Sequence, residues 1–192
     1  LVSNAFSQIV NIPDLNFKAY LVGNSAINTN ADSEIQVSEA IAFTGTINCS
    51  NLNISNLSGI EESEKVITQN GLKVKIHITK PKGVKANAPV FIFIHGGGWV
   101  LGDYPTHRRL VRDLVVESGA VAVFPDYTPS PEAKYPVAIN EIYATTQWVS
   151  EHGKEIGVNG KNLAVVGNSV GGNMSAAIAL MAKNNNGPAI KL

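Results

Sequence analysis

Cysteine is almost absent from this sequence: Cys49 stands alone. No internal disulfide can form, and the redox compartment stays open. Net charge is absent too, with 15 Lys and Arg against 15 Asp and Glu. That balance removes any general electrostatic reason to expect nucleic acid or an anionic membrane as partner. No apolar run approaches the ~20 residues of a membrane helix, so no membrane span is expected. Charged residues make up only 16% and apolar ones 44%, which excludes a disordered tail or a coiled coil. Histidine is missing from the last stretch of the chain: the four are His77, His95, His107 and His152.

What is present has two grammars, which divide near Glu61. Residues 1–60 are rich in Asn, Ser and Ile, whereas 61–192 alternate short apolar strands with helices. The opening Leu1 and the small-x-small Ala5-Phe6-Ser7 fit the end of a cleaved secretory signal; a frayed terminus fits them equally. A secreted or periplasmic location follows from the first reading, a cytoplasmic one from the later residues taken alone. Pro13 to Val22 reads as a short helix stopped by Gly23. Ile47, Leu52, Ile54, Leu57 and Ile60, with asparagines between, have the spacing of one leucine-rich turn. Asn48, Asn53 and Asn56 open formal glycosylation sequons but read better as a side-chain ladder along such a turn. Residues 8–60 resemble the N-terminal cap and first repeat of flavobacterial leucine-rich-repeat proteins, although a solenoid needs about three repeats to bury a core.

Between that helix and that turn, residues 28–39 match the spacing of a twelve-residue EF-hand loop. The candidate calcium ligands are Asn28, Asn30, Asp32, Glu34 and Glu39. Two departures weaken the match: Asn28 stands where Asp is usual, and Ser33 where Gly makes the sharp turn. The same residues also fit an Asn/Asp-rich turn followed by a helix capped at Ser38.

Beyond Glu64 the expected class is α/β. Val66–Gln69 and Leu72–Ile78 flank Asn70-Gly71, a hairpin signal. Strands follow at 90–94, 120–124 and 163–166, with helices at about 106–117, 136–151 and after Ser169. Such alternation implies a mostly parallel sheet with right-handed crossovers and the antiparallel hairpin at one edge.

Two motifs carry the chemistry. Val90-Phe91-Ile92-Phe93-Ile94 ends in His95-Gly96-Gly97-Gly98-Trp99, and Leu163-Ala164-Val165-Val166 runs into Gly167-Asn168-Ser169-Val170-Gly171-Gly172. The second is a G-x-S-x-G nucleophile elbow in strand–turn–helix context, and the first is an HGGG-type oxyanion loop. A serine hydroxyl is a poor nucleophile until a base takes its proton, and backbone amides aimed at the developing oxyanion supply a large part of the catalysis. Sterics require glycine at 167 and 171, and Gly172 is expected to let the following helix pack closely. A Rossmann reading fails because 167–172 lacks the second glycine that admits pyrophosphate. A P-loop fails because no Gly-Lys-Ser/Thr follows a glycine run.

Residues 64–192 resemble the hormone-sensitive-lipase-like carboxylesterases, the alpha/beta hydrolase fold-3 group. The resemblance rests on these two motifs with Asp126-Tyr127, Pro131-Glu132 and Tyr135-Pro136 between them. It implies the N-terminal half of an α/β-hydrolase sheet, Ser169 as nucleophile, and Gly97, Gly98 and Val170 as oxyanion donors. It also implies small-molecule esters with short-to-medium acyl groups as substrates, and no cofactor. Asn168 departs from the group's usual Asp. The acid and histidine of the triad follow the serine in this fold, and no histidine follows Ser169 here. The 192 residues are therefore expected to be catalytically incompetent alone, with an open sheet edge where copies could associate. A non-catalytic secreted surface module carrying an inert hydrolase remnant is the competing reading. His77, His107 and His152 are expected on solvated surfaces, His95 as a loop holder, and Trp99 and Trp148 as packing.

Overall fold

The computed structural model describes residues 9–12, 14–47 and 59–191. Two compact units are present, Leu1–Gly59 and Ile60–Leu192.

In the first unit, α1 (Leu15–Val22) starts where the Asp14 carboxylate accepts the N–H groups of Asn16 and Phe17, at 3.1 and 3.0 Å. It ends at Gly23, whose N–H closes on Ala19. The second helix, α2 (Val37–Ala42), is capped at Gln36 rather than Ser38. Glu39 explains the shift: its carboxylate accepts the Gln36 N–H at 3.0 Å, which satisfies an otherwise orphaned donor. Leu21, Ile27 and Ile35 form a small core under Phe17, Tyr20 and Phe43. Most of the leucine-rich stretch and its sequons, residues 48–58, lies outside the described residues.

The second unit is a five-stranded sheet in the order β1-β2-β4-β3-β5. The strands are β1 (Ile60–Gln69), β2 (Leu72–Pro81), β3 (Ala88–Ile94), β4 (Val121–Pro125) and β5 (Val158–Gly167). Pairing is antiparallel for β1–β2 and β2–β4, parallel for β3–β4 and β3–β5. Only β2 therefore runs against the rest. The hairpin turns at Asn70-Gly71, both at positive φ, as a two-residue hairpin turn requires.

Helices α3 (Tyr104–Ser118), α4 (Val137–His152) and α5 (Val170–Asn184) cover the sheet. Side chains alternate across β3. Val90, Ile92 and Ile94 join the core with Ile142, Trp148 and Ile178, and Phe91 and Phe93 join Val111, Val115 and Phe124 on the other face. With both faces covered, β3 has no polar side, as its unbroken apolar run implies. Each fully buried side chain of this kind contributes about 1.5–3 kcal/mol. Trp148 packs as expected. His77 does not lie on the surface: it is 7% exposed and stacks on Tyr104 with ring centroids 4.2 Å apart. Helix α3 covers the face of β2 that alternation alone assigns to solvent. Among the described residues, no helix is long and apolar enough to cross a membrane.

Candidate active site

The site is built where two neighbouring parallel strands end. Ile94 of β3 lies beside Gly167 of β5, so the loops after both strands emerge side by side. After Gly167 the chain turns sharply and α5 begins at Val170. Ser169 sits at the turn with φ 54° and ψ −123°, a conformation that costs a non-glycine residue about 1–3 kcal/mol. Hydrogen bonds from Gly171 N–H to Asn168 O, 2.8 Å, and from Gly172 N–H to Ser169 O, 3.0 Å, hold it there. A Cβ on Gly171 would overlap the Ile94 carbonyl. The close helix–strand approach is therefore at Gly171, not Gly172, where the nearest atom to an added Cβ would be 3.3 Å away.

The glycine loop reaches the elbow through Gly96. Its N–H donates to Asn168 Oδ1 at 3.0 Å, and a Cβ on it would stand 3.1 Å from Ser169 Cβ. Gly97 and Gly98 follow with φ 122° and 64°, so their amides face directions that other residues rarely reach. Leu101 N–H closes the turn on Gly97 O at 2.9 Å, and Ser130 N–H ties Trp99 O at 2.7 Å.

His95 holds this loop. Its Nδ1–H donates to Gly96 O at 2.7 Å, and its ring stacks between Tyr127 and Phe124, at 4.2 and 5.3 Å. Burial pushes the imidazole below its ordinary pKa of 6.5, since a charged ring there would lose its hydration. Tyr127 donates its hydroxyl to His95 O at 3.0 Å, and burial pushes that hydroxyl up to about 12. His107 is half-buried rather than on a solvated face. Its Nε2 lies 3.4 Å from Asn168 Nδ2, and its ring 5.4 Å from that of His95. Asn168 thus touches the glycine loop and α3 at once.

Trp99 does not pack inward: it is 45% exposed and lines a cleft of 710 Å³ that runs from Gly98 past Tyr135 to Met174 and Leu180 on α5. Sequence reasoning missed three roles here: Asn168 as acceptor for Gly96, Tyr127 as anchor of His95, and His107 as a neighbour of the elbow. An amide immediately before the serine, and a tyrosine just past a buried strand, were the available signals.

In the first unit the candidate calcium ligands are engaged with one another. Asn30 Oδ1 accepts from Asp32 N–H and Asp32 Oδ1 from Glu34 N–H, at 3.0 and 2.8 Å. Glu34 pairs with Lys18 at 2.6 Å. Glu39 accepts from Thr29, Asn30 and Gln36, and the Gln36 N–H above all holds its carboxyl below the ordinary value. The left-handed residue is Ala31, φ 57°, so the sharp turn falls at the fourth place of the loop, not at Ser33. Among the described residues, no three His, Cys, Asp or Glu side chains cluster closely enough to hold a metal.

A family model described as alpha/beta hydrolase fold matches residues 91–192, more than half of the chain. The chain belongs to the alpha/beta hydrolase fold family. The chain is 43% identical over 106 residues to Esterase LipI of Mycobacterium tuberculosis, covering 55% of itself and 33% of that protein. To Carboxylesterase NlhH of the same species it is 37% identical over 126 residues, covering 65% of itself and 40% of the relative. Among solved structures, a thermostable esterase from Pseudomonas putida ECU1011 matches with 65% identity and a TM-score of 0.68. That match covers 70% of this chain and 42% of the other. The hyperthermophilic esterase from Pyrobaculum calidifontis matches with 34% identity and a TM-score of 0.65, over 68% and 42%. The chain thus spans well under half the length of these relatives.

Proposed function

We propose that the protein to which these residues belong hydrolyses carboxylic esters with short-to-medium acyl groups through an acyl-enzyme on Ser169. The observation that carries this reading is the strained serine turn in contact with a glycine loop, on a chain similar to named esterases. Ser169 Oγ attacks the ester carbonyl carbon while its proton passes to a base. The tetrahedral oxyanion receives the amides of Gly97, Gly98 and Val170, each worth about 3 kcal/mol in the transition state. Collapse expels the alcohol, and water then releases the acid. No step calls on a metal or cofactor.

The test is turnover of p-nitrophenyl butyrate. Without a base for its proton, Ser169 in the 192-residue chain should give little turnover, with at most ~10³–10⁴-fold over water from oxyanion contacts and binding. Extension with a matching C-terminal half that carries Asp and His should restore activity, and Ser169→Ala should abolish it again. Fast, Ser169-dependent turnover by the short chain would give the base role to His95 or His107. Failure of the extended chain would favour the non-catalytic module.

Two finer readings belong here. Residues 8–60 read as a leucine-rich-repeat cap on the Ile and Leu spacing from Ile47 to Ile60; fusing them to a repeat array and measuring its solubility tests that. Association of copies through a sheet edge draws support from the end positions of β1 and β5 and from Val66, 65% exposed on β1. Concentration-dependent sedimentation tests it.

A further inference from the structure

The loop 28–39 lies in the first unit, apart in sequence from the serine turn, and it holds an unexplained buried atom. Asn28 is 3% exposed. Its Nδ2 donates to Val22 O at 2.9 Å and to Asp32 O at 2.8 Å. These two bonds fix the amide, because the reverse orientation would set its oxygen against two carbonyls. Asn28 Oδ1 is therefore shielded from solvent and without a hydrogen-bond partner. Buried carbonyl oxygens of this kind are uncommon and call for an explanation.

We infer that Asn28 Oδ1 is a ligand of calcium, bound by residues 28–39 as a weak site of mainly neutral oxygens. The neighbouring acceptors now take hydrogen bonds where a cation would supply positive charge. Asn30 Nδ2 donates to Asp32 Oδ2 at 3.0 Å and to Gln36 Oε1 at 2.6 Å, and Gln36 Nε2 donates to Asp32 Oδ2 at 2.7 Å. Asp32 and Glu39 supply two negative charges for a dication. Glu34 has its carboxylate on Lys18 and offers its backbone carbonyl, as the seventh residue of such a loop does. The set has two carboxylates, and amide and carbonyl oxygens make up the rest.

The donor set selects the metal. It holds only oxygens, which suits a hard cation and not a transition metal. An irregular set of six or more suits calcium, whereas magnesium requires near-octahedral geometry and keeps its waters. Asn28 in place of Asp, and the left-handed turn at Ala31, set the affinity at the weak end, with Kd of about 10⁻⁴–10⁻³ M.

The experiment follows backbone amide shifts of the 192-residue chain by NMR while CaCl₂ is added, with MgCl₂ in parallel. Saturable shifts confined to residues 28–39 are expected, with a millimolar or lower midpoint for calcium and a weaker response to magnesium. Asn28→Ala removes the ligand oxygen and should weaken binding about tenfold or more. Glu39→Gln should weaken it by a similar factor. Absence of shifts in 28–39 at about 10 mM CaCl₂, ten times the weak limit of such loops, overturns the site. An equal response to magnesium overturns the choice of metal. Asn28→Ala, properly folded by its spectrum but binding calcium as tightly as the parent, overturns the role of Asn28.

Discussion

Ser169 holds a backbone conformation that glycine adopts without strain. Ser169→Gly should therefore stabilise the folded chain by about 1 kcal/mol while removing the nucleophile. A melting temperature raised by a few degrees is the expected readout. Asn168 is the complementary case, because its side chain supports a neighbour. Asn168→Ala leaves the buried Gly96 N–H without its acceptor, a loss of about 1–3 kcal/mol. Hydrogen exchange should show the Gly96 amide opening faster, with little change at Val111 in the core. Neither effect is legible from motif spacing: a pattern names the serine but carries no record of its φ or of what its neighbour's amide grips.

At the scale of elements, the elbow depends on how closely α5 approaches β3. Gly171→Ala would push a methyl group into the Ile94 carbonyl and should cost about 3 kcal/mol, read as a lower urea midpoint. Gly172→Ala, with 3.3 Å of room, should cost less. The core strands were legible because both faces of β3 are covered, which leaves an apolar run bounded by glycine. The edge was not. Alternation starts β1 at Val66, whereas the strand starts at Ile60, because Glu61 to Lys65 pair on one side only and keep polar side chains. The N-cap of α2 shifted for a similar reason: the deciding partner, Glu39, acts through a reach that propensity does not count.

For the molecule as a whole, pH is the simplest probe. Burial lowers the pKa of both His77 and His95 below the ordinary 6.5. Below 6.5 the unfolded chain then binds protons that the folded chain refuses, so stability is full above that value and falls as pH drops toward the lowered folded pKa values. Glu62 adds a second window. Burial alone would raise its pKa, but the guanidinium groups of Arg108 and Arg112 outweigh this and hold it well below 4.5. Its stabilisation is lost further down, as pH falls below 4.5. Urea midpoints should therefore be flat above pH 7, decline as pH falls below about 6.5, and decline again in stronger acid. A midpoint that rises on acidification through pH 6 would contradict the histidine assignments. His77 was hard to place from sequence because alternation along a strand does not count how many layers cover it.

The bond from Gly96 to Asn168 joins positions 72 residues apart, and it has a consequence in time. As a chain is synthesised, residue 169 emerges as an ordinary serine on a flexible peptide. Its strained backbone can persist only after β5 has docked beside a β3 made long before, with α3, β4 and α4 already produced between them. The nucleophile is thus shaped late, by a meeting of distant segments, and a nascent chain halted before that docking would carry the whole motif and none of its geometry.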